Sequence, residues 1–169
     1  DMTFAEETRD FLRVLCNKPL PEEATRRAID AITDGLACIA LGASQPLEPP
    51  LRSGLFGAET NQRAIAKMMV AGTIEQDRMA TLALYLSTLA HAADFDDISH
   101  PAYCHPTAVL LPPILLSGAS RGASGAEILT AYVAGIEVLG QLGRRLNMEH
   151  YQRGWHATGT FGALGATVA

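Results

Sequence analysis

The stretch Ser124-Gly-Ala-Glu-Ile-Leu-Thr-Ala-Tyr-Val-Ala-Gly-Ile-Glu-Val-Leu-Gly-Gln-Leu-Gly-Arg-Arg145 carries signals for both ends of a helix. Ser124 and Glu127 have the spacing of a capping box, in which each side chain accepts from the other residue's backbone amide. Arg144 and Arg145 suit a helix C-terminus, where a positive charge offsets the helix dipole. The stretch therefore predicts a long helix from Ser124 to the arginine pair.

Similar signals recur along the rest of the chain. Thr3 and Glu6 form another capping box ahead of apolar residues at helical spacing, and Pro21 suits the first turn of a second helix. The second helix is predicted to end with a cap at Gly42, and further helices are predicted at 64–71, from about Asp77 to His91, at 108–117 and after His156. Loops are predicted at 43–62, 92–106 and 147–155, with a break at Gly72 and Thr73. Pro112 and Pro113 are expected to kink the helix at 108–117 or to delay its start. Strand alternation is not visible, so we predict an all-α, bundle-like single domain over residues 1–169.

Composition excludes several classes of function. The net charge is -5 and the 13 basic residues are scattered, which argues against a nucleic-acid partner. The longest charge-poor run, 102–120, is interrupted by prolines and is not a simple membrane span. The three cysteines are odd in number and lack metal-type spacing, which is typical of reduced thiols. A soluble, cytoplasmic protein is expected, with neither nucleic acid nor membrane as partner.

Both ends of the chain predict a piece of a longer protein. The sequence starts at Asp1 without a methionine and stops at Ala169 inside an apolar run. A helix that ends within its own apolar face leaves that face without a partner. The domain is therefore expected to be incomplete and inactive alone.

The stretch His91-Ala-Ala-Asp-Phe-Asp-Asp-Ile-Ser-His-Pro-Ala-Tyr-Cys-His105 places three histidines and three aspartates within fifteen residues. Ionisable groups are costly to bury unless they are paired. Such a set can hold a divalent metal, or it can bind and protonate a carboxylate-rich substrate. At helical spacing Asp94 and Asp97 share a face and Asp96 diverges, while the simplest interpretation is a solvated helix end. We interpret His91 as structural and expect His105 to face a cleft.

A second candidate site is Tyr151-Gln-Arg-Gly-Trp-His-Ala-Thr-Gly-Thr160. His156 precedes the last predicted helix, whose N-terminal amides can bind an anion. The simpler interpretation is an ordinary helix cap, with Thr158 or Thr160 as the capping residue.

These motifs together resemble the MmgE/PrpD family. His-Ala-x-Asp-Phe-Asp-Asp followed by two His-Pro pairs is similar to one family motif, and residues 154–166 are similar to its Gly-Phe/Trp-His-x-Thr-Gly-Thr segment. Residues 21–38 and 122–138 resemble the family's opening helix and its long helix. The similarity extends over nearly the whole chain.

The resemblance implies a large all-α domain to which this chain contributes, a smaller α/β domain elsewhere, and a homodimer that acts without cofactor on small di- or tricarboxylates. The residues that it implies as catalytic groups are Asp94, His105, His156 and, from epimerase-like members, Tyr151. We expect Ser99, His100 and Thr158 to bind the substrate. The family also has a lysine downstream of the second histidine, which falls beyond Ala169.

The family's reactions share proton transfer at a carbon next to a carboxylate. We place a dehydratase-type lyase first and an epimerase of an iminodisuccinate-like substrate second, because Tyr151 can supply a second acid or base. Decarboxylation of cis-aconitate type is third, since Ile98 stands where the decarboxylase has threonine and one extra residue separates the His-Pro pairs. No metal is expected, because Pro101 and Pro106 should hold the histidines apart.

Two other classes stay open. Asp96-Asp97-Ile-Ser-His100 is similar to the Asp-Asp-x-x-Asp magnesium motif of isoprenoid synthases, although its fifth position is histidine and no second motif is visible. A helical binding module without catalytic activity is the other alternative.

Overall fold

The structure, a computed structural model, describes residues 2–70 and 76–169. Those residues form eight α-helices, with no β-structure among them beyond an isolated bridge between Ser99 and Cys104. The helices are α1 (Phe4–Leu15), α2 (Glu22–Gly42), α3 (Glu48–Phe56), α4 (Gln62–Val70), α5 (Gln76–His91), α6 (Pro106–Arg121), α7 (Gly125–Gln152) and α8 (Ala157–Val168). The all-α prediction is confirmed, whereas the predicted break at Gly72 and Thr73 lies outside the described residues.

Both predicted capping boxes are present. Ahead of α1, the Thr3 hydroxyl accepts from the Glu6 amide at 3.3 Å and the Thr3 amide donates to the Glu6 carboxylate at 2.8 Å. Ser124 and Glu127 form the same pair of bonds ahead of α7, at 3.3 and 2.8 Å. These bonds satisfy amides that have no partner within the helix, which fixes where each helix starts.

The predicted loop at 43–62 is wrong in its centre, where α3 forms. Two prolines follow Glu48 in the first turn of α3, where no intrahelical N–H bond is needed. The buried Glu48 carboxylate accepts from the Tyr85 hydroxyl at 2.6 Å and from Arg52 Nε at 2.8 Å. A tertiary contact with α5 thus stabilises a helix that local composition does not favour.

Two other predicted boundaries are also wrong. The prolines do not delay the start of α6, which begins at Pro106 and continues past Pro112 and Pro113, although each costs about 3 kcal/mol in a helix interior. Packing of α6 against α2, α5, α7 and α8 outweighs that loss. Helix α7 continues to Gln152 instead of ending near the arginine pair, because its last turns pack on α8, with the His150 and Phe161 ring centroids 4.3 Å apart.

Two apolar clusters hold the helices together. The larger joins α6, α7 and α8 around buried residues such as Leu110, Leu139 and Phe161. The smaller centres on α5, with Leu82 and Leu86 packed towards α2 and α3. Residues 92–105 connect α5 to α6 and therefore link the two clusters. None of the helices within the described ranges is long and apolar enough to cross a bilayer.

Helix α7 seats this connecting segment. A Cβ built on Gly143 would lie 2.4 Å from both the Pro101 carbonyl oxygen and the Ala102 Cα, so only glycine permits this approach of the two backbones. Ala102 is completely buried against the helix. The end of the segment, which leads to His105, is thereby held in place.

Candidate active site

Two histidines flank the connecting segment and meet across it. His91 is the last residue of α5, and His105 is the N-cap residue of α6. Their ring centroids lie 4.3 Å apart with an interplanar angle of 51°. The expectation that Pro101 and Pro106 hold the histidines apart is therefore wrong for this pair.

Asp94 turns the chain back towards the two rings. Its φ is +51°, a left-handed conformation that aspartate adopts more readily than most residues, and its amide donates to the His91 carbonyl at 3.0 Å. One carboxylate oxygen lies 3.8 Å from His105 Nε2 and 4.0 Å from His91 Nδ1. The side chain is 80% exposed, so a solute can reach it.

Asp96 contacts the same two rings from the protein interior. Its side chain is only 1% exposed. Oδ1 lies 2.9 Å from His91 Nδ1, and Oδ2 lies 3.3 Å from His105 Nδ1. The His105 ring therefore lies between one exposed carboxylate and one buried carboxylate.

Asp97 faces away from the histidines and anchors α6. Its two carboxylate oxygens accept from the Thr107 amide at 3.0 Å and the Thr107 hydroxyl at 2.7 Å. The same hydroxyl lies 2.5 Å from the Tyr132 hydroxyl of α7. Burial raises the pKa of Asp97, against the lowering effect of the Thr107 bonds, and burial raises the pKa of Tyr132 to about 12.

The expected sharing of a face by Asp94 and Asp97 is wrong. The segment from 92 to 105 is not helical, and Asp94 has a left-handed backbone conformation. Asp94 and Asp96 converge on His105 instead. Their separation by two positions in a non-helical segment allows both carboxylates to approach one ring.

The start of α8 contacts the same site. The His105 amide donates to the Thr158 hydroxyl at 3.2 Å. His156 is the N-cap residue of α8 and makes no side-chain capping bond, so the interpretation of a threonine cap is wrong. Asp94, His105 and Thr158 form a continuous chain of contacts. A common cleft that includes His156 together with Asp94 and His105 stays a prediction.

The other predicted residues lie around this group in different surroundings. The Ser99 amide donates to the Cys104 carbonyl at 2.9 Å. His100 lines a depression of about 430 Å³ on the α7 side, together with Arg144. Tyr151 is 58% exposed near the end of α7, with its ring 6.4 Å from that of Tyr103. Their proposed roles at the substrate stay predictions.

Sequence reasoning left two residues out of the site that the structure brings into it. Asp96 and His91 contact His105 directly. The sequence motif alone points only to Asp94 among the carboxylates and favours a structural role for His91. His150, which belongs to neither candidate site in the sequence, has a different set of contacts: its Nε2 is hydrogen-bonded to the Thr160 hydroxyl at 2.9 Å, and its ring packs on Phe161 of α8. The sequence signal for Asp96 is its position two residues after Asp94. On a helix two such residues point to different sides, so the assumption of helical spacing hides this signal.

The cluster also has the composition of a metal site. His91, Asp94, Asp96 and His105 each offer one ligand atom, and these atoms lie within 4.8 Å of one another. Imidazole nitrogens and carboxylate oxygens are ligands for zinc and similar ions. The 2.9 Å contact of Asp96 with His91 is equally that of a carboxylate that accepts a hydrogen bond from an imidazole N–H group.

Comparison with known proteins agrees with the fold and with the motifs. Residues 6–169 match the MmgE/PrpD N-terminal domain. The chain is 26% identical over 170 residues to the cis-aconitate decarboxylase-like protein oryM of Aspergillus oryzae (strain ATCC 42149 / RIB 40). The alignment covers 92% of this chain and 34% of that protein. It is 23% identical over 161 residues to the cis-aconitate decarboxylase of Aspergillus terreus, covering 92% and 32% of the two chains.

The chain thus spans about a third of the length of the curated relatives that it matches. The domain match extends over nearly every residue from the first helix to the last, including both segments that form the histidine–aspartate site. The chain belongs to the MmgE/PrpD family.

Proposed function

We propose that the chain contributes acid–base groups to a lyase that transfers a proton at a carbon next to a carboxylate in a small di- or tricarboxylate. The observation that carries this proposal is the His105 imidazole held between Asp94 and Asp96, with Nε2 towards the exposed carboxylate. An imidazole is an effective general base or acid near neutral pH. The intact protein is proposed to act as a cofactor-free homodimer, as the family resemblance implies.

The residues of this site would divide the work as follows. His105 Nε2 takes the proton from carbon, and the exposed Asp94 carboxylate stabilises the imidazolium that forms. The negative charge that develops on the substrate needs donors on the opposite side. His156 and the N-terminal amides of α8, beside Thr158, are suited to bind that charge.

Dehydration is the first candidate reaction. The C–H proton passes to the base, and the hydroxyl of the substrate leaves as water after it takes a proton from an acid group. Decarboxylation is a second candidate because the similar Aspergillus proteins carry that name. There the C–C bond breaks, carbon dioxide leaves, and the carbon takes a proton. Epimerisation, in which Tyr151 would return the proton on the other face, is a third.

The test uses the intact protein in heavy water with a 2-methylcitrate, a cis-aconitate and an iminodisuccinate substrate. In decarboxylation and epimerisation the carbon next to a carboxylate should gain deuterium, and in dehydration the same carbon should lose its hydrogen to the solvent. NMR detects both forms of exchange. Loss of water, release of carbon dioxide and inversion of configuration separate the alternatives. Absence of exchange with every substrate contradicts the proposal.

Variants connect the activity to this site. His105→Gln should lower turnover at least about 100-fold, the usual contribution of a general base. Asp30→Asn, on the 67% exposed side chain of Asp30 in α2, is the control and should retain turnover. Wild-type turnover in His105→Gln would show that the base lies elsewhere.

A further inference from the structure

The buried carboxylate of Asp96 is the least expected charge in the site. Two positions earlier, Asp94 is 80% exposed, whereas the Asp96 side chain is 1% exposed. An ionised carboxylate in such a place is strongly destabilising unless donors compensate for its lost hydration. The groups beside its two oxygens are imidazoles: His91 Nδ1 is hydrogen-bonded to Oδ1, and His105 Nδ1 lies close to Oδ2 without hydrogen-bond geometry.

The identity of these partners fixes where their protons are. An ionised carboxylate only accepts hydrogen bonds, and a neutral imidazole has one N–H donor and one lone-pair nitrogen. The nitrogen that faces Asp96 is Nδ1 in both rings, at 2.9 Å for His91 and 3.3 Å for His105. Each ring must therefore carry its hydrogen on Nδ1 to stabilise the carboxylate.

No competing partner disturbs the second of these contacts. Asp96 Oδ2 and His105 Nδ1 are both shielded from solvent, and neither makes a hydrogen bond with any described residue; they approach each other to 3.3 Å without the geometry of a hydrogen bond. The opposite tautomer would bring two lone pairs together in a buried position. That arrangement is unfavourable because neither atom can turn to water.

The backbone on either side holds the His105 ring against Asp96. The His105 amide donates to Thr158 of α8, and the following residue starts α6. Asp97, next to Asp96, is anchored on Thr107 by two bonds. Elements α6 and α8 therefore set the orientation of the ring, and Asp96 sets its protonation pattern.

We propose that Asp96 is a positioning residue that holds His105 in the Nδ1–H tautomer, with His91 as a hydrogen-bond donor to the other carboxylate oxygen. The consequence is that His105 Nε2 keeps a free lone pair on the side of Asp94, at 3.8 Å, too far for a hydrogen bond between them. The catalytic part of this inference rests on the proposed role of His105 as the base.

The experiment measures the tautomer directly. The intact protein is labelled with ¹⁵N in its histidine rings, and the His105 signals are assigned by their loss in His105→Gln. At mildly alkaline pH the expected spectrum has a protonated Nδ1 and an unprotonated Nε2. In Asp96→Asn the amide group of the new side chain can donate to Nδ1, so the hydrogen is expected to move to Nε2.

Kinetics on the same variant test the consequence for catalysis. Turnover (kcat) of Asp96→Asn should fall by about 10²- to 10⁴-fold with little change in KM, as for the aspartate-to-asparagine change in a Ser-His-Asp triad, where the wrong tautomer forms. Asp30→Asn controls for the loss of a surface carboxylate and should change neither the tautomer nor kcat.

The outcomes separate the two proposals. An Nε2–H tautomer in the wild-type protein overturns the positioning role, and this measurement needs no variant to fold. An unchanged tautomer and unchanged kcat in a folded Asp96→Asn protein also overturn it. A tautomer that shifts as expected in a protein without turnover on any carboxylate supports the positioning role and contradicts the proposed function.

Discussion

Gly143→Ala is expected to destabilise the protein, although alanine is the better helix former. The new Cβ would lie 2.4 Å from the Pro101 carbonyl oxygen and from the Ala102 Cα. Both atoms belong to the backbone of the segment that leads to His105, so neither can rotate away. Either that segment or α7 has to move.

The magnitude follows from two opposing contributions. Replacement of glycine by alanine in a helix interior stabilises by about 1 kcal/mol. Overpacking of a tightly packed site costs about 1 to 3 kcal/mol, and a contact with rigid backbone belongs at the upper end of that range. The net loss expected for Gly143→Ala is about 2 kcal/mol.

Gly140→Ala on the same helix is the matched control. A Cβ at Gly140 would have Arg144 Nη1 as its nearest neighbour at 3.5 Å, an ordinary contact with a flexible side chain. This variant should gain about 1 kcal/mol from helix propensity alone. The two alanine variants are therefore expected to differ by about 3 kcal/mol in free energy of unfolding.

The assay is urea denaturation of the intact protein, followed by far-ultraviolet circular dichroism and extrapolated linearly to zero denaturant. Turnover is measured in parallel, because displacement of Ala102 moves a segment that ends three residues later at His105. Gly143→Ala should lose both stability and turnover, whereas Gly140→Ala should lose neither. Equal stability of the two variants would refute the packing argument.

Three further predictions test the interior of the site and its chemistry. Thr107→Val removes the buried hydroxyl between the half-buried Asp97 carboxylate and the Tyr132 phenol, and should cost about 1 to 3 kcal/mol of unfolding free energy by urea denaturation. The same change at the exposed Thr33 should cost less. In the native protein a disulfide reagent should label the exposed Cys16, whereas the buried Cys38 and Cys104 should react only after unfolding. The reason is that burial raises the pKa of both buried thiols, to about 12 for Cys104. Treatment with a chelator should leave turnover unchanged. Loss of turnover on chelation, with recovery on added zinc, would assign the histidine–aspartate cluster to a metal.

The parts of the fold that were predicted correctly depend on short-range interactions. The capping boxes at Thr3 and Ser124 involve residues three positions apart, so the sequence alone specifies them. Helix α3 could not be found in this way, because Glu48 is stabilised by Tyr85, a residue 37 positions away. Packing on all sides of α6 likewise overrides the local effect of its internal prolines.

The site shows the same division between local and distant information. Asp94 and His105 were identified from a motif, and they do lie together. The inclusion of Asp96 required knowledge that the chain leaves the helix after His91 and has a left-handed residue at Asp94. Helical spacing, assumed beyond the end of α5, wrongly places Asp94 with Asp97 and separates it from Asp96.

Three aspartates within four positions thus have different chemical environments, and exposure is what separates them. Asp94 is open to solvent, so its charge is hydrated and available to a bound solute. Asp96 is buried between two imidazoles, and in the proposed positioning role its charge determines where their protons lie. Burial raises the pKa of Asp97, whose hydrogen bonds go to the protein's own backbone and hydroxyl groups. A carboxylate that binds substrate must stay accessible, and one that orients a base must be shielded from water. The non-helical segment, with its left-handed residue at Asp94, provides both environments within two positions.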